Sequence, residues 1–177
     1  MRFSDIIKET APRDWSLEMF NKRVLIFGCG NVLFGDDGFG PQVVEYLMQH
    51  YKLPSDVYAL DVGTSIRNVL FDLLLSPQRP QRLILIDAIQ IKNKRPGEIF
   101  EIDIDTLPPS KIPDFSLHQG PTVNFLQELK RLGQVQIHIV VVQAKEIPEI
   151  VKPGLSKEVK AAIPKMCQYL KQLWELP

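Results

Sequence analysis

Three acidic residues stand just beyond three apolar runs in this chain. Asp37 follows Val24-Leu25-Ile26-Phe27 by way of a glycine-rich loop, Asp61 follows Val57-Tyr58-Ala59-Leu60, and Asp87 follows the run from Arg82 to Ile86. A histidine, His118, lies in the proline-rich stretch 106–120, which lacks any periodicity. Two carboxylates and an imidazole suit a divalent transition metal and leave coordination positions for another molecule. Asp37, Asp61 and His118 are therefore the expected ligand set, provided that the fold brings their loops together. Asp87 reads as a loop-forming or supporting carboxylate, and Asp36 as a helix cap or a neighbour of the metal ligands. His50, at a helix end, and His138, inside an apolar run, read as structural.

The elements that must position these residues are legible as alternating strands and helices. Runs that are apolar on both faces belong in the middle of a parallel sheet. Such runs begin at Val24, Val57, Arg82 and Val135. Between them, Val43, Val44, Leu47 and Tyr51 recur at helical spacing behind Pro41, which suits a first helical turn. Ile66, Val69, Leu70, Leu73 and Leu74 mark a second helix, stopped by Ser76-Pro77. A third helix runs from Pro121 to Gly133, and a last one from about Ser156 to Leu173. Ile99 to Ile104 alternates with acidic residues, as in a half-exposed edge strand. The expected fold is α/β: a three-layer, mostly parallel twisted sheet of about five strands with helices on both faces. The expected organisation is a single domain over 1–177, with 1–20 as an N-terminal extension. In such a sheet the loops after the strands share the carboxyl edge, where open α/β sheets hold ligands.

The loop after the first strand has two competing readings. Gly28-Cys29-Gly30 begins like a dinucleotide-binding GxGxxG, but Leu33 occupies the third glycine position. Asp36 and Asp37 would also lie close to the pyrophosphate. Two like charges at about 4 Å repel by roughly 4 kcal/mol at an effective dielectric near 20. A loop that presents carboxylates suits a cation. Cys29, set between glycines, reads as a small buried residue in a tight turn rather than a nucleophile.

Composition excludes several classes. The chain has 177 residues, 45% of them apolar, with 21 basic and 21 acidic residues and a net charge of zero. A balanced charge argues against nucleic acid or a membrane surface as partner. Two cysteines without metal-ligand spacing fit a reducing compartment. The first residues lack a signal-peptide apolar core, and no run reaches the ~18 residues of a membrane span. A cytoplasmic monomer is the expectation. HExxH, GxSxG and P-loop motifs are all absent from the sequence.

The full loop, Gly28-Cys29-Gly30-Asn31-Val32-Leu33-Phe34-Gly35-Asp36-Asp37-Gly38-Phe39-Gly40, resembles the GxGNxLxxDDGxG motif of the nickel-iron hydrogenase maturation endopeptidases. The similarity extends to Asp61-Val62-Gly63-Thr64, to Arg95-Pro96-Gly97-Glu98 and to His118-Gln119. It implies that Asp37, Asp61 and His118 contact nickel, with Asn31, Asp36, Thr64, Asp87 and Gln119 around them. It implies an aspartyl-type endopeptidase that removes a C-terminal peptide from a nickel-loaded hydrogenase large-subunit precursor. The nickel would come with the precursor, and the free enzyme would hold none tightly. Cys29 and Gln143-Ala144-Lys145-Glu146 resemble the branch serving the deazaflavin (coenzyme F420)-reducing hydrogenases. Many members carry Glu where this chain has Asp37. The alternative reading is a non-catalytic nickel-binding or nucleotide-binding α/β protein.

Overall fold

A computed structural model describes residues 15–106 and 121–177. The expectations that fall on 1–14 and 107–120, His118 and Gln119 among them, lie outside the described residues. Helix α1 (Trp15–Phe20) leads into β1 (Val24–Cys29), and a 3-10 turn (Gly35–Gly38) leads into α2 (Phe39–His50). β2 (Val57–Gly63), α3 (Ile66–Leu75) and β3 (Arg82–Ile89) follow. The chain continues through β4 (Ile99–Ile102), a 3-10 turn (Ile104–Thr106), α4 (Pro121–Gly133), β5 (Gln136–Gln143) and α5 (Lys157–Glu175).

The five strands form one sheet in the order β2-β1-β3-β5-β4. Only β4 is antiparallel, pairing Ile99 with Val142 and Ile102 with Ile139. β1 and β3 are buried along their whole length, which is why their residues are apolar on both faces. One face packs Val43, Val44 and Leu47 of α2 and Ile163, Met166 and Leu170 of α5 against Val24, Ile26, Ile84 and Val140. The opposite face packs Leu70 and Leu73 of α3 and Leu126 and Leu129 of α4 against Leu25, Phe27, Leu83 and Val141. The chain moves from β1 outward to β2, then crosses back to β3 on the other side of β1. Right-handed crossovers in opposite directions put α2 and α3 on opposite faces. They also leave a crevice at the carboxyl ends of β1 and β3, the usual ligand position of such sheets.

Several expectations are corrected. β2 extends to Gly63, so Asp61 lies within the strand and not in the loop after it. β3 extends to Ile89, which likewise places Asp87 inside a strand, fully buried. The period-two pattern at 99–104 yields only four strand residues, and Ile104 instead buries itself in a 3-10 turn. At the end of the segment before the first strand, Met19 is fully buried against Leu25 and Phe27.

Two arginines anchor the end of α5 to the amino edge of the sheet. Arg82 is buried at the start of β3 and donates to the carbonyls of Leu173, Leu176 and Pro177. Arg23 donates to the carbonyls of Trp174 and Leu176 and pairs with Asp56. These cations satisfy helix C-terminal carbonyls that have no partner within the helix.

Candidate active site

β1 delivers its chain directly into the glycine loop, and the glycines allow two close approaches. Gly30 has φ 121°, and a Cβ there would overlap the carbonyl oxygen of Asp37. Gly40, in the first turn of α2, rests on the backbone of Cys29 and on the carbonyl oxygen of Ile86. Any side chain at position 40 would lift the helix from the sheet. At the junction of this loop with the end of β2, the Gly30 amide donates to the Gly63 carbonyl at 3.0 Å.

Asp37 and Asp61 flank that junction. Asp37 Oδ2 accepts from the Asn31 amide at 2.8 Å, one residue beyond Gly30. Asp61 Oδ1 accepts from the Gly63 amide at 2.8 Å. Asp37 is half-buried and Asp61 exposed. Asp61 also lines an open cleft of about 210 Å3 with Gly30, Asn31, Val32, Pro41, Gly63 and Thr64. Asn31 and Thr64 thus border this cleft, and the Asn31 side chain accepts from the Leu33 amide to hold the turn. Two oxygen donors backed by amides, one of them solvent-facing, are the chemistry a divalent cation requires. Among the described residues, no three His, Cys, Asp or Glu side chains group closely enough to hold a metal.

Asp36 points away from its neighbour and does not cap α2, whose start carries no side-chain cap. It is 1% exposed. Its carboxylate accepts from the amides of Lys145 at 2.8 Å, Glu146 at 3.1 Å and Ser156 at 2.6 Å, and from the Ser156 hydroxyl at 2.9 Å. The backbone of this turn adds bonds from the Asp36 amide to the Glu146 carbonyl and from the Gly35 amide to the Lys152 carbonyl. Asp36 therefore ties the turn that bears Asp37 to the loop 144–156 and to the start of α5. Adjacent carboxylates divide the work because successive side chains of a tight turn face different ways.

Asp87 is buried within β3, where its Oδ1 accepts from the Ala88 amide at 2.8 Å. Cys29 is buried beside these acids. Burial pushes its thiol well above the ordinary range, and the charges of Asp87, Asp61 and Asp37 push it the same way. A thiol held neutral is a packing residue rather than a nucleophile. His50 stacks on Tyr46, and His138 bonds Glu101 at 2.7 Å, so both serve the structure.

Comparison with known proteins decides the family. The hydrogenase maturation protease family model matches residues 41–172. The chain belongs to this family. It is 33% identical to the hydrogenase 2 maturation protease of Escherichia coli, over 86% of this chain and 92% of that protein. It is 30% identical to the coenzyme F420 hydrogenase subunit delta of Methanothermobacter thermautotrophicus, over 85% of this chain and 94% of that one. A Methanocaldococcus jannaschii relative reaches 39% identity over 86% of this chain and 96% of its own. Among solved structures, the hydrogenase maturating endopeptidase HybD from E. coli superposes with a TM-score of 0.64 at 33% identity, covering 86% of this chain and 93% of HybD.

As a hydrogenase maturation protease the chain is a hydrolase of the endopeptidase type, which displaces the non-catalytic alternatives. No helix among the described residues is long and apolar enough to cross a membrane. Sequence reasoning missed the roles of Lys145, Glu146 and Ser156 as amide donors to Asp36. The one available signal was Ser156 ahead of an apolar-periodic helix, and that signal suggests a cap for the helix rather than a partner 120 residues away.

Proposed function

We propose that this protease removes a C-terminal peptide from the precursor of a nickel-iron hydrogenase large subunit after nickel has been inserted. The observation that carries this reading is the pair of carboxylates, Asp37 and Asp61, fixed by amides on either side of the Gly30–Gly63 junction, with Asp61 lining the cleft there. The nickel arrives as part of the substrate. Asp61, exposed in the cleft, meets it first, Asp37 supports it from the loop side, and His118 supplies the nitrogen donor. A preset pair of anionic oxygens favours a precursor that presents a cation over one that does not, since a cation offsets the repulsion between two like charges. Held there, the metal ion polarises the scissile carbonyl or a water. The residues of this chain orient it and exclude competing geometry.

The partner is a hydrogenase large-subunit precursor, and the enzyme acts in the cytoplasm as a monomer. The test is mass spectrometry of full-length precursor, with and without nickel, mixed with this protein. The expected result is loss of a C-terminal peptide from the nickel-loaded precursor alone, abolished by Asp61→Ala and by His118→Ala. Processing that is indifferent to nickel, or that survives both substitutions, overturns the reading.

A further inference from the structure

Four large apolar side chains stand in solvent on two neighbouring stretches of backbone, one of which lines the cleft through Val32. Val32 and Leu33 are each 45% exposed, and Ile150 and Val151 are 74% and 62% exposed. The backbone holds the two pairs together. Phe34 and Lys152 form an isolated parallel bridge, closed by bonds from the Lys152 amide to the Leu33 carbonyl and from the Gly35 amide to the Lys152 carbonyl, both 2.9 Å. In that register Leu33 stands beside Val151, one residue ahead of the bridged pair. The Asp36 carboxylate fixes the same loop at its two ends, through Lys145 and Glu146 on one side and Ser156 on the other. The exposed Lys152–Glu146 ion pair at 2.9 Å borders it.

Single exposed apolar residues are ordinary on protein surfaces. Two exposed apolar pairs on adjoining backbone stretches, clamped by backbone bonds and bordered by charges, have the composition of an interface core with its polar rim. We infer that Val32, Leu33, Ile150 and Val151 form a docking ridge that takes an apolar segment of the hydrogenase precursor next to the bond that is cut. The inference rests on the function proposed above. The occupant follows from continuity, because Val32 lines the cleft together with Asp61. The ridge also lies on the loop that Asp36 ties to the Asp37 turn, so a precursor docked there is registered against the carboxylate pair.

The test is a double variant, Ile150→Ser with Val151→Ser, at two side chains that lie outside the cleft and contribute little to the core. Two quantities are read with nickel-loaded full-length precursor: the Kd by titration and the steady-state KM and kcat of processing. Loss of central interface contacts raises Kd and KM about tenfold or more and leaves kcat within about twofold. The apolar replacement Ile150→Leu with Val151→Ile retains wild-type values. Unchanged Kd and KM in the serine variant overturn the ridge while leaving the endopeptidase assignment intact. A fall in kcat alone also overturns it, as does a wild-type dimer that the serine variant converts to monomer. Wild-type protein that neither binds nor cleaves the loaded precursor overturns both this inference and the proposed function.

Discussion

Replacing Asp36 with alanine removes four hydrogen bonds from a carboxylate that is 1% exposed, and leaves three amides and a hydroxyl without their acceptor. Hydrogen bonds to a charged group contribute about 1.5–3 kcal/mol each. They do not sum here, because water reaches the vacated donors near the loop surface. Leaving a buried donor without its acceptor costs about 1–3 kcal/mol, and with water reaching some of the four donors the expected loss for Asp36→Ala is about 3–5 kcal/mol. With a urea slope of about 2 kcal/mol/M, the unfolding midpoint falls by roughly 1.5–2.5 M. Asp36→Asn is the sharper perturbation, since it keeps the shape. Asp36 Oδ1 serves the Ser156 amide, and Oδ2 serves Lys145, Glu146 and the Ser156 hydroxyl. An amide side chain retains one oxygen and must turn its NH2 toward an N–H on the other side. Asp36→Asn loses about 2 kcal/mol, and Ser156→Ala about 1 kcal/mol. The double variant Asp36→Ala/Ser156→Ala is less destabilised than the sum, by about 1 kcal/mol, because the two share a bond. Urea denaturation of the four proteins reads the series. An Asp36→Asn variant as stable as the wild type would refute the claim that the negative charge organises this loop.

Two further perturbations probe the packing beneath the site. Gly40→Ala places a methyl group against the backbone of Cys29 and Ile86, which cannot yield as a side chain would; the expected cost is about 3 kcal/mol or more, seen as a lower thermal midpoint. The fold also carries an alkaline sensitivity. Burial raises the Cys167 thiol from 9.0 to about 11, so its stabilising contribution is complete below the unfolded value and is lost as pH rises through 9 toward 11. Each unit of that shift corresponds to about 1.4 kcal/mol. Urea midpoints at pH 8 and 10.5 should fall more for the wild type than for Cys167→Ala, and equal falls would refute it.

The layered α/β architecture was legible in the sequence for a simple physical reason. Strands such as Val24–Cys29 and Arg82–Ile89 are buried on both faces, so they can contain little but apolar residues, and the helices between them show one apolar stripe. The glycine loop was equally legible, because Gly30 and Gly40 answer to backbone approaches that no other residue permits. The carboxyl-edge position of Asp37 and Asp61 follows from strand order alone. Whether Asp61 stands in a loop or within β2 depended on how far β1 continues to pair with it, and the Gly28–Asp61 and Cys29–Gly63 partners are a property of the sheet. The split roles of Asp36 and Asp37 were beyond any local pattern. Both are acids ahead of a helix, and helix-capping rules treat them alike. Only the tertiary structure, by bringing residues 145, 146 and 156 beneath one of them, made Asp36 a buried anchor and left Asp37 to accept from the Asn31 amide within the glycine loop. Short-range chemistry sets which residue types a loop can hold, whereas the partner of each charge is chosen by contacts more than a hundred residues apart in the chain.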